Sequence, residues 1–368
     1  MKSSLLPLSL AGPGNQFCGI KESLIIAEIL KLPLILPKII PHYTIRKFSQ
    51  KAYDFDEVFD LEYLSNICSS KLSIDILPTS YASRKSRHPI LMRSDPASKA
   101  QAMEYYDYYL SAMALKDDIK DFDHSSYKTS LFRSQKDVRD FAELHNIFAK
   151  HTTLVGVFNN VKIGGINNFS DNPACSKNHC LNCKPNPEFE PIYEVVQSSF
   201  QFSKFIRDAG DRYIQKVFKD REFNAFHMRV SDITKGRTFI DCYNGFAEKK
   251  VFDILMSTQD VDGLLRSDIF IAAPPQLKQV KDLKIFDKNS INFYHNPDVD
   301  PFISSLIEQY ICSKSKRFIR SYTNTPDRPR KNHTRSSWSE LVEGMRIHDN
   351  QGARKSITFD DLIYIVNY

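Results

Sequence analysis

The chain has 368 residues, of which 42% are hydrophobic and 26% charged, the composition of an ordinary globular protein with room for two domains. Its net charge of +6 is mild for the length, and the basic residues are dispersed until "RPRKNHTR", Arg328 to Arg335. This favours an anionic small ligand over a broad nucleic-acid surface, and no uncharged apolar run approaches the ~18 residues of a membrane span.

The first predicted element is a strand in the apolar run Leu5 to Leu10. A breaker cluster, Gly12-Pro13-Gly14, follows it, and an amphipathic helix is expected through Leu24 to Leu30. The run "LPLILP", Leu32 to Pro37, is too short for a helix and is bounded by prolines, so it reads as a buried parallel strand. Strand, glycine turn, helix and strand make a βαβ unit, in which ligands bind beyond the carboxyl ends of the strands and the helix N-terminus favours an anion. The stretch "GPGNQ" is not the dinucleotide fingerprint, because the third glycine falls at Gly19, one position late. A plain structural turn accounts for it equally well. Met1 to Ala11 faintly resembles a signal peptide, but cleavage after Ala11 would remove the strand that positions the turn, so a cytoplasmic chain with mostly reduced cysteines is expected.

Residues 99–119, "KAQAMEYYDYYLSAMALKDDI", read as a helix, and "HTTLVGVFNNV" from His151 as a strand. The loop "NPACSKNHCLNCKPNP" places three cysteines and a histidine within nine residues. Cys175, His179, Cys180 and Cys183 are the only local ligands for a structural zinc; a disulfide and free thiols are the competing readings, and no metal is assigned. The other cysteines, Cys18, Cys68, Cys242 and Cys312, lie in apolar or mixed segments and read as buried thiols. A single long helix is expected over Pro191 to Lys219, with Phe200, Phe202 and Phe205 forming a core stripe. A boundary there divides the chain into domains 1–200 and 201–368.

The second half opens with "REFNAFHMRVSDI", a strand over Phe223 to Met228 ending in Arg229, with Asp232 three residues later. Arg229 can fork two donors onto a phosphate, and Asp232 can orient it or cap the next helix. A surface ion pair is the bland alternative. "DIFIAAPPQ" from Asp268 is another buried strand, and "SSLIEQYICSKSKRFIRSYTNT" from Ser304 reads as an amphipathic helix, a short strand and a hydroxyl-rich loop.

Taken in order, "GPGNQ" with "LPLILPK", "FHMRVSD" and "IEQYICSKSKRFIRSYTNT" resemble the GDP-fucose protein O-fucosyltransferases and their fucosyltransferase relatives. The resemblance implies an α/β fold of GT-B type, two Rossmann-like domains facing a central cleft, the N-terminal on the acceptor side and the C-terminal binding the nucleotide sugar. It implies transfer of fucose from GDP-fucose to a hydroxyl of a protein or glycan, without a cofactor and without nucleic acid. Gly12, Gly14 and Asn15 would line the donor site, Asn15 close to the sugar and pyrophosphate. His227 would shape the nucleotide pocket, Arg229 would bind the β-phosphate, and Asn324 and Thr325 would lie against the phosphates. Two positions depart from the family: Pro274 stands where an acidic residue is common, and Pro326 where an aromatic one is. A non-catalytic sugar-nucleotide or glycan-binding protein, a transferase using another nucleotide sugar, and a zinc knuckle with "RPRKNHTR" as a nucleic-acid arm are the alternatives. Inside "GPGNQ" there is no acidic residue to act as base, and Glu22, two turns into the helix, reads as a solvated helical residue.

Overall fold

Apolar runs too short for helices and rich in Leu, Ile, Val and Phe become two parallel sheets, as buried strands of this composition should. The computed structural model describes residues 3–8, 13–41, 51–82, 90–93, 110–111, 113, 115, 132, 134–144, 147–148, 154–158, 187–227, 268–272, 291–320, 337–348 and 356–358. It divides into two units, Met1–Ser203 and Lys204–Tyr368.

The first unit runs β1 (Ser4–Leu8), α1 (Pro13–Leu30), β2 (Leu34–Ile35), α2 (Phe55–Val58), α3 (Leu61–Ile67), β3 (Ile76–Leu77), β4 (Ile90–Arg93), α4 (Gln135–Leu144), β5 (Leu154–Phe158) and α5 (Glu190–Ser198). Its sheet order is β3-β2-β1-β5-β4, with every pairing parallel. β1 is buried throughout, as the central strand must be. β2 is shorter than the apolar run predicts, because Pro33 and Pro37 have no N–H to give to a ladder; the Pro33 carbonyl nevertheless accepts from Leu5 at 3.0 Å.

The helix α1 is not the one-sided helix expected from its sequence. It packs on β1, α4 and α5, and every residue from Gly19 to Ala27 is buried. A helix enclosed by neighbours on several sides needs no polar face.

The single helix expected over residues 191–219 is two helices. Between them, Gln201 and Ser203 pair with the chain at the end of α2: Asp60 N–H donates to Gln201 O and Ser203 N–H to Val58 O, each at 2.9 Å. Phe202 bridges Phe59 in antiparallel fashion. The cause is the spacing of Phe200 and Phe202, which is that of a strand. Both rings are buried against Phe59, at 5.3 and 5.8 Å between centroids, and Phe17 meets Phe59 at 4.8 Å. Phe205, assigned to the same stripe, is 56% exposed because it lies in the first turn of the next helix instead.

The second unit runs α6 (Lys204–Val217), β6 (Phe223–His227), β7 (Asp268–Ala272), β8 (Ile291–Asn292), α7 (Pro301–Lys314), β9 (Arg317–Arg320), α8 (Ser337–His348) and β10 (Ser356–Thr358). Its sheet order is β10-β9-β6-β7-β8, again all parallel. α7 starts where the Asp300 carboxylate accepts from Phe302 N–H at 2.8 Å and Pro301 takes the first position. Like α1, it is buried on all sides rather than amphipathic, from Leu306 through Ser313, with Glu308 and Gln309 included. It crosses α6 where Gly210 leaves room for Tyr310, whose hydroxyl donates to Asp211 Oδ1 at 2.9 Å. At its far end the buried Arg346 guanidinium of α8 donates to the carbonyls of Ser313 (3.3 Å), Ser315 (2.6 Å) and Lys316 (3.2 Å). That places a positive charge where the helix carbonyls converge.

Candidate functional site

In an open parallel sheet, a ligand is held beyond the carboxyl ends of the strands at the point where the strand order reverses. In the second unit that point lies between β6 and β9. The chain proceeds from β6 to β7 and β8 on one side, then crosses to β9 and β10 on the other. β6 ends at His227 and β9 at Arg320. The residues predicted to bind the donor follow these two strands directly: Arg229 and Asp232 after β6, Asn324 and Thr325 after β9. These four, with Pro274, Pro326 and the basic run Arg328 to Arg335, lie outside the described residues.

His227 is described, and its setting is specific. Its side chain is buried, with Nδ1 2.9 Å from Ser339 Oγ. Its ring lies flat on Trp338, with centroids 4.0 Å apart and planes at 16°. Trp338 Nε1–H donates to Ser305 Oγ of α7 at 3.2 Å, and the Trp338 carbonyl accepts from Gln309 Nε2 at 3.4 Å. The last residue of β6 is thus held by the first turn of α8, which is in turn tied to α7. In the stack the imidazole keeps hydrogen-bonding capacity at its edge while its face is removed from water.

The first unit has a comparable point between β1 and β5, with β2 and β3 on one side and β4 beyond β5 on the other. After β1 the chain enters α1 at Pro13. Gly14 is buried in the first turn, and Asn15 follows it in the same turn; Gly12 lies outside the described residues. Gln16 fixes this end of the helix. Its amide donates to the Ile40 carbonyl at 2.6 Å and accepts from the Ile40 N–H at 2.9 Å, which pairs a side chain with a peptide as one strand pairs with another. Glu22, expected to be solvated, is fully buried, because α1 is covered by α4 and α5 on the sides its sequence left open. Lys21 is buried beside it, donating to Gln197 Oε1 at 2.6 Å with Nζ 5.8 Å from the Phe200 ring centroid.

The cysteine loop with Cys175, His179, Cys180 and Cys183 lies outside the described residues, as does most of the helix expected over 99–119. Among the described residues no group of three or more His, Cys, Asp or Glu side chains could hold a metal ion, and no helix is long and apolar enough to cross a membrane. Cys68 and Cys312 are buried free thiols. Burial, aided by the Glu28 carboxylate, pushes the Cys68 thiol up to about 12. Burial and Glu308 push Cys312 well above the ordinary thiol value, against the opposing charge of Arg346.

Residues 11–328 match the family of GDP-fucose protein O-fucosyltransferases. The chain belongs to this family. Among solved structures it is similar to POFUT1 in complex with GDP, at 11% identity and a TM-score of 0.60, covering 97% of this chain and 98% of the other. POFUT1 in complex with GDP-fucose gives 12% identity and a TM-score of 0.59 over 97% and 98%. The NodZ alpha-1,6-fucosyltransferase soaked with GDP-fucose gives 11% and 0.50 over 94% and 93%. No curated protein matches the chain. At such identities the likeness is one of fold: α/β and GT-B-like, with two units each built on a parallel sheet.

Within the O-fucosyltransferase fold, sequence reading proposed His227 for the nucleotide pocket but not the side chains that hold it. Ser305 was read only as part of a helix, and Trp338 and Ser339 were not singled out at all. One signal was available: "SWSE", Ser337 to Glu340, has the Ser-x-x-Glu spacing of a helix start and contains the chain's single tryptophan.

Proposed function

We propose that this chain transfers fucose from GDP-fucose to a hydroxyl group of a protein or glycan. The observation that carries the reading is the family match over residues 11–328. The ordering of β6 and β9 around the strand reversal supports it, since the sequence positions expected to bind the donor follow those two strands.

In this reading the departing diphosphate gathers negative charge as the bond from the sugar to its phosphate breaks. A cation fixed in advance at that position stabilises the transition state more than the bound donor. Arg229 supplies it as a two-pronged donor to the β-phosphate, oriented by Asp232. His227 shapes the nucleotide pocket, Asn324 and Thr325 bind the phosphates, and Asn15 reaches the sugar and pyrophosphate, with Gly12 and Gly14 allowing close approach to the backbone. The leaving phosphate, or a water, takes the proton of the acceptor hydroxyl. Glu22 is buried inside the first unit and is given no part in that step. In this reading the chain works in a reducing, cytoplasmic compartment.

The test is a melting-temperature screen across nucleotide diphosphates and their sugars, followed by turnover of GDP-fucose. GDP and GDP-fucose are expected to stabilise the fold by about 2.7 kcal/mol at a hundredfold excess over Kd, while UDP and ADP leave it unchanged. Release of GDP from GDP-fucose is the second expected result. Stabilisation by GDP without turnover would make the chain a sugar-nucleotide-binding protein instead, and no response to any guanine nucleotide would overturn the reading.

A further inference from the structure

The side chain of a histidine at a strand end turns about two rotatable bonds. It contributes most to a binding site when both are settled before the ligand arrives. At His227 the first turn of α8 meets both requirements. Trp338 lies face to face with the imidazole at 4.0 Å and 16°, which fixes the ring plane. Ser339 Oγ, itself buried, sits 2.9 Å from Nδ1 and hydrogen-bonds it, which fixes the rotation of the ring edge within that plane. Trp338 is immobilised in turn. Its indole N–H donates to Ser305 and its carbonyl accepts from Gln309, one turn further along α7, while Phe318 of β9 tilts against it at 6.5 Å. α7 and β9 thus hold the turn of α8 that holds the imidazole at the end of β6.

Resting on the nucleotide-binding role of His227, we propose that Trp338 and Ser339 are positioning residues. Trp338 sets the plane of the His227 ring and Ser339 anchors its Nδ1 edge, so that His227 presents its ring to guanosine diphosphate in a preset orientation. Trp338 is the only tryptophan in the chain, so tryptophan emission reports this stack and nothing else.

The experiment compares the full chain with His227→Ala, Trp338→Leu, Trp338→Phe, Ser339→Ala and Ser339→Thr. The readouts are melting temperature, GDP affinity by calorimetry and the imidazole nitrogen spectrum. His227→Ala is expected to weaken GDP binding by about tenfold or more. Ser339→Ala should weaken it by about fivefold, the scale of one buried hydrogen bond, and Ser339→Thr, which keeps the hydroxyl, should restore it. Trp338→Leu should approach the loss seen for His227→Ala, with Trp338→Phe between it and the wild type because an aromatic face remains. The nitrogen resonances of His227, assigned by their absence from His227→Ala, should shift at Nδ1 in Ser339→Ala, where its hydrogen bond is lost, and return toward the wild type in Ser339→Thr. If Trp338→Leu fails to fold, the Ser339 pair decides, since it alters only a buried hydroxyl. Affinities within about twofold of wild type for Trp338→Leu and Ser339→Ala, alongside a weakened His227→Ala, would overturn the positioning role alone. An unaffected His227→Ala would overturn the nucleotide reading of His227 together with it.

Discussion

The two units begin alike and end differently. Each places its first strand at the centre of a parallel sheet and its second and third strands to one side; the first then reaches the other side as β1-β5-β4, the second as β6-β9-β10. Their buried polar groups differ more. In the first unit those described lie along or beside α1 and β1: Gln16 clasps Ile40, Lys21 reaches Gln197, Ser23 donates to Gly19 and Ser3 to Ile147. In the second, one group stabilises the end of α7 through Arg346, and another gathers at the end of β6 around His227. One sheet plan thus places its internal hydrogen bonds along a helix in one unit, and at the end of a central strand, where the donor is proposed to bind, in the other. A buried polar atom must be matched wherever it lies, and under the proposed function the group around His227 would serve the chemistry as well as the fold.

The comparison predicts that lesions in the second unit's strand-end region lower activity at unchanged stability, and that lesions in the first unit's buried ring cluster and Gln16 clasp do the reverse. The largest expected effect is at Arg229. Arg229→Ala should reduce GDP-fucose turnover on the order of a hundredfold to a thousandfold with an unchanged melting curve, and lysine should recover little because a point charge cannot reproduce the fork. Turnover equal to wild type would break the comparison at its strongest point.

Phe59 sits at the centre of the ring cluster formed with Phe17, Phe55, Phe200 and Phe202. Phe59→Ala should destabilise the first unit by about 3–5 kcal/mol in denaturant unfolding. GDP affinity per folded molecule should be unaltered, and a parallel loss of affinity would blur the division between the units. Gln16→Ala leaves the N–H and carbonyl of Ile40 without their partner and should cost about 1–3 kcal/mol by the same measurement. A neutral result would show that water replaces the clasp.

Alkaline pH sharpens the comparison further. The Cys68 thiol, ordinarily at 9.0, is raised to about 12 by burial and by Glu28. The folded state holds it neutral while the unfolded chain ionises, so its contribution to stability is complete below pH 9 and is lost progressively as pH rises toward 12. The wild type should lose up to about 1.4 kcal/mol per pH unit in that window from this group. Cys68→Ala should show a flatter curve in stability measured from pH 8 to 10.5, and identical slopes would remove Cys68 as a cause. The smallest effect is expected at Phe205, whose ring is 56% exposed: Phe205→Ser should change stability by less than about 0.5 kcal/mol. A loss near that of Phe59→Ala would show that both rings belong to one core.

The order strand, helix, strand near the start of the chain was legible in the sequence, because proline, glycine and short apolar runs act locally; the bounds were not, since the helix begins at Pro13, inside the expected breaker cluster, where proline fits a first helical position, and the second strand spans only Leu34–Ile35. The parallel strands β6, β7 and β9 were visible for the same reason, and with them the order of motifs that marks the family. What periodicity could not supply was the surroundings of each element. Nothing local to Glu22 or Lys21 says that α4 and α5 will cover them, so a helix with charges in its sequence proved to be enclosed. Phe200 and Phe202 carry the spacing of a strand inside a stretch that otherwise reads as helix, and only the presence of Phe59 decides between the two. The setting of His227 is the clearest case. The residues that fix it are 78 to 112 positions distant along the chain, on α7 and α8, and they meet it because β9 pairs with β6 and not because of any spacing between them.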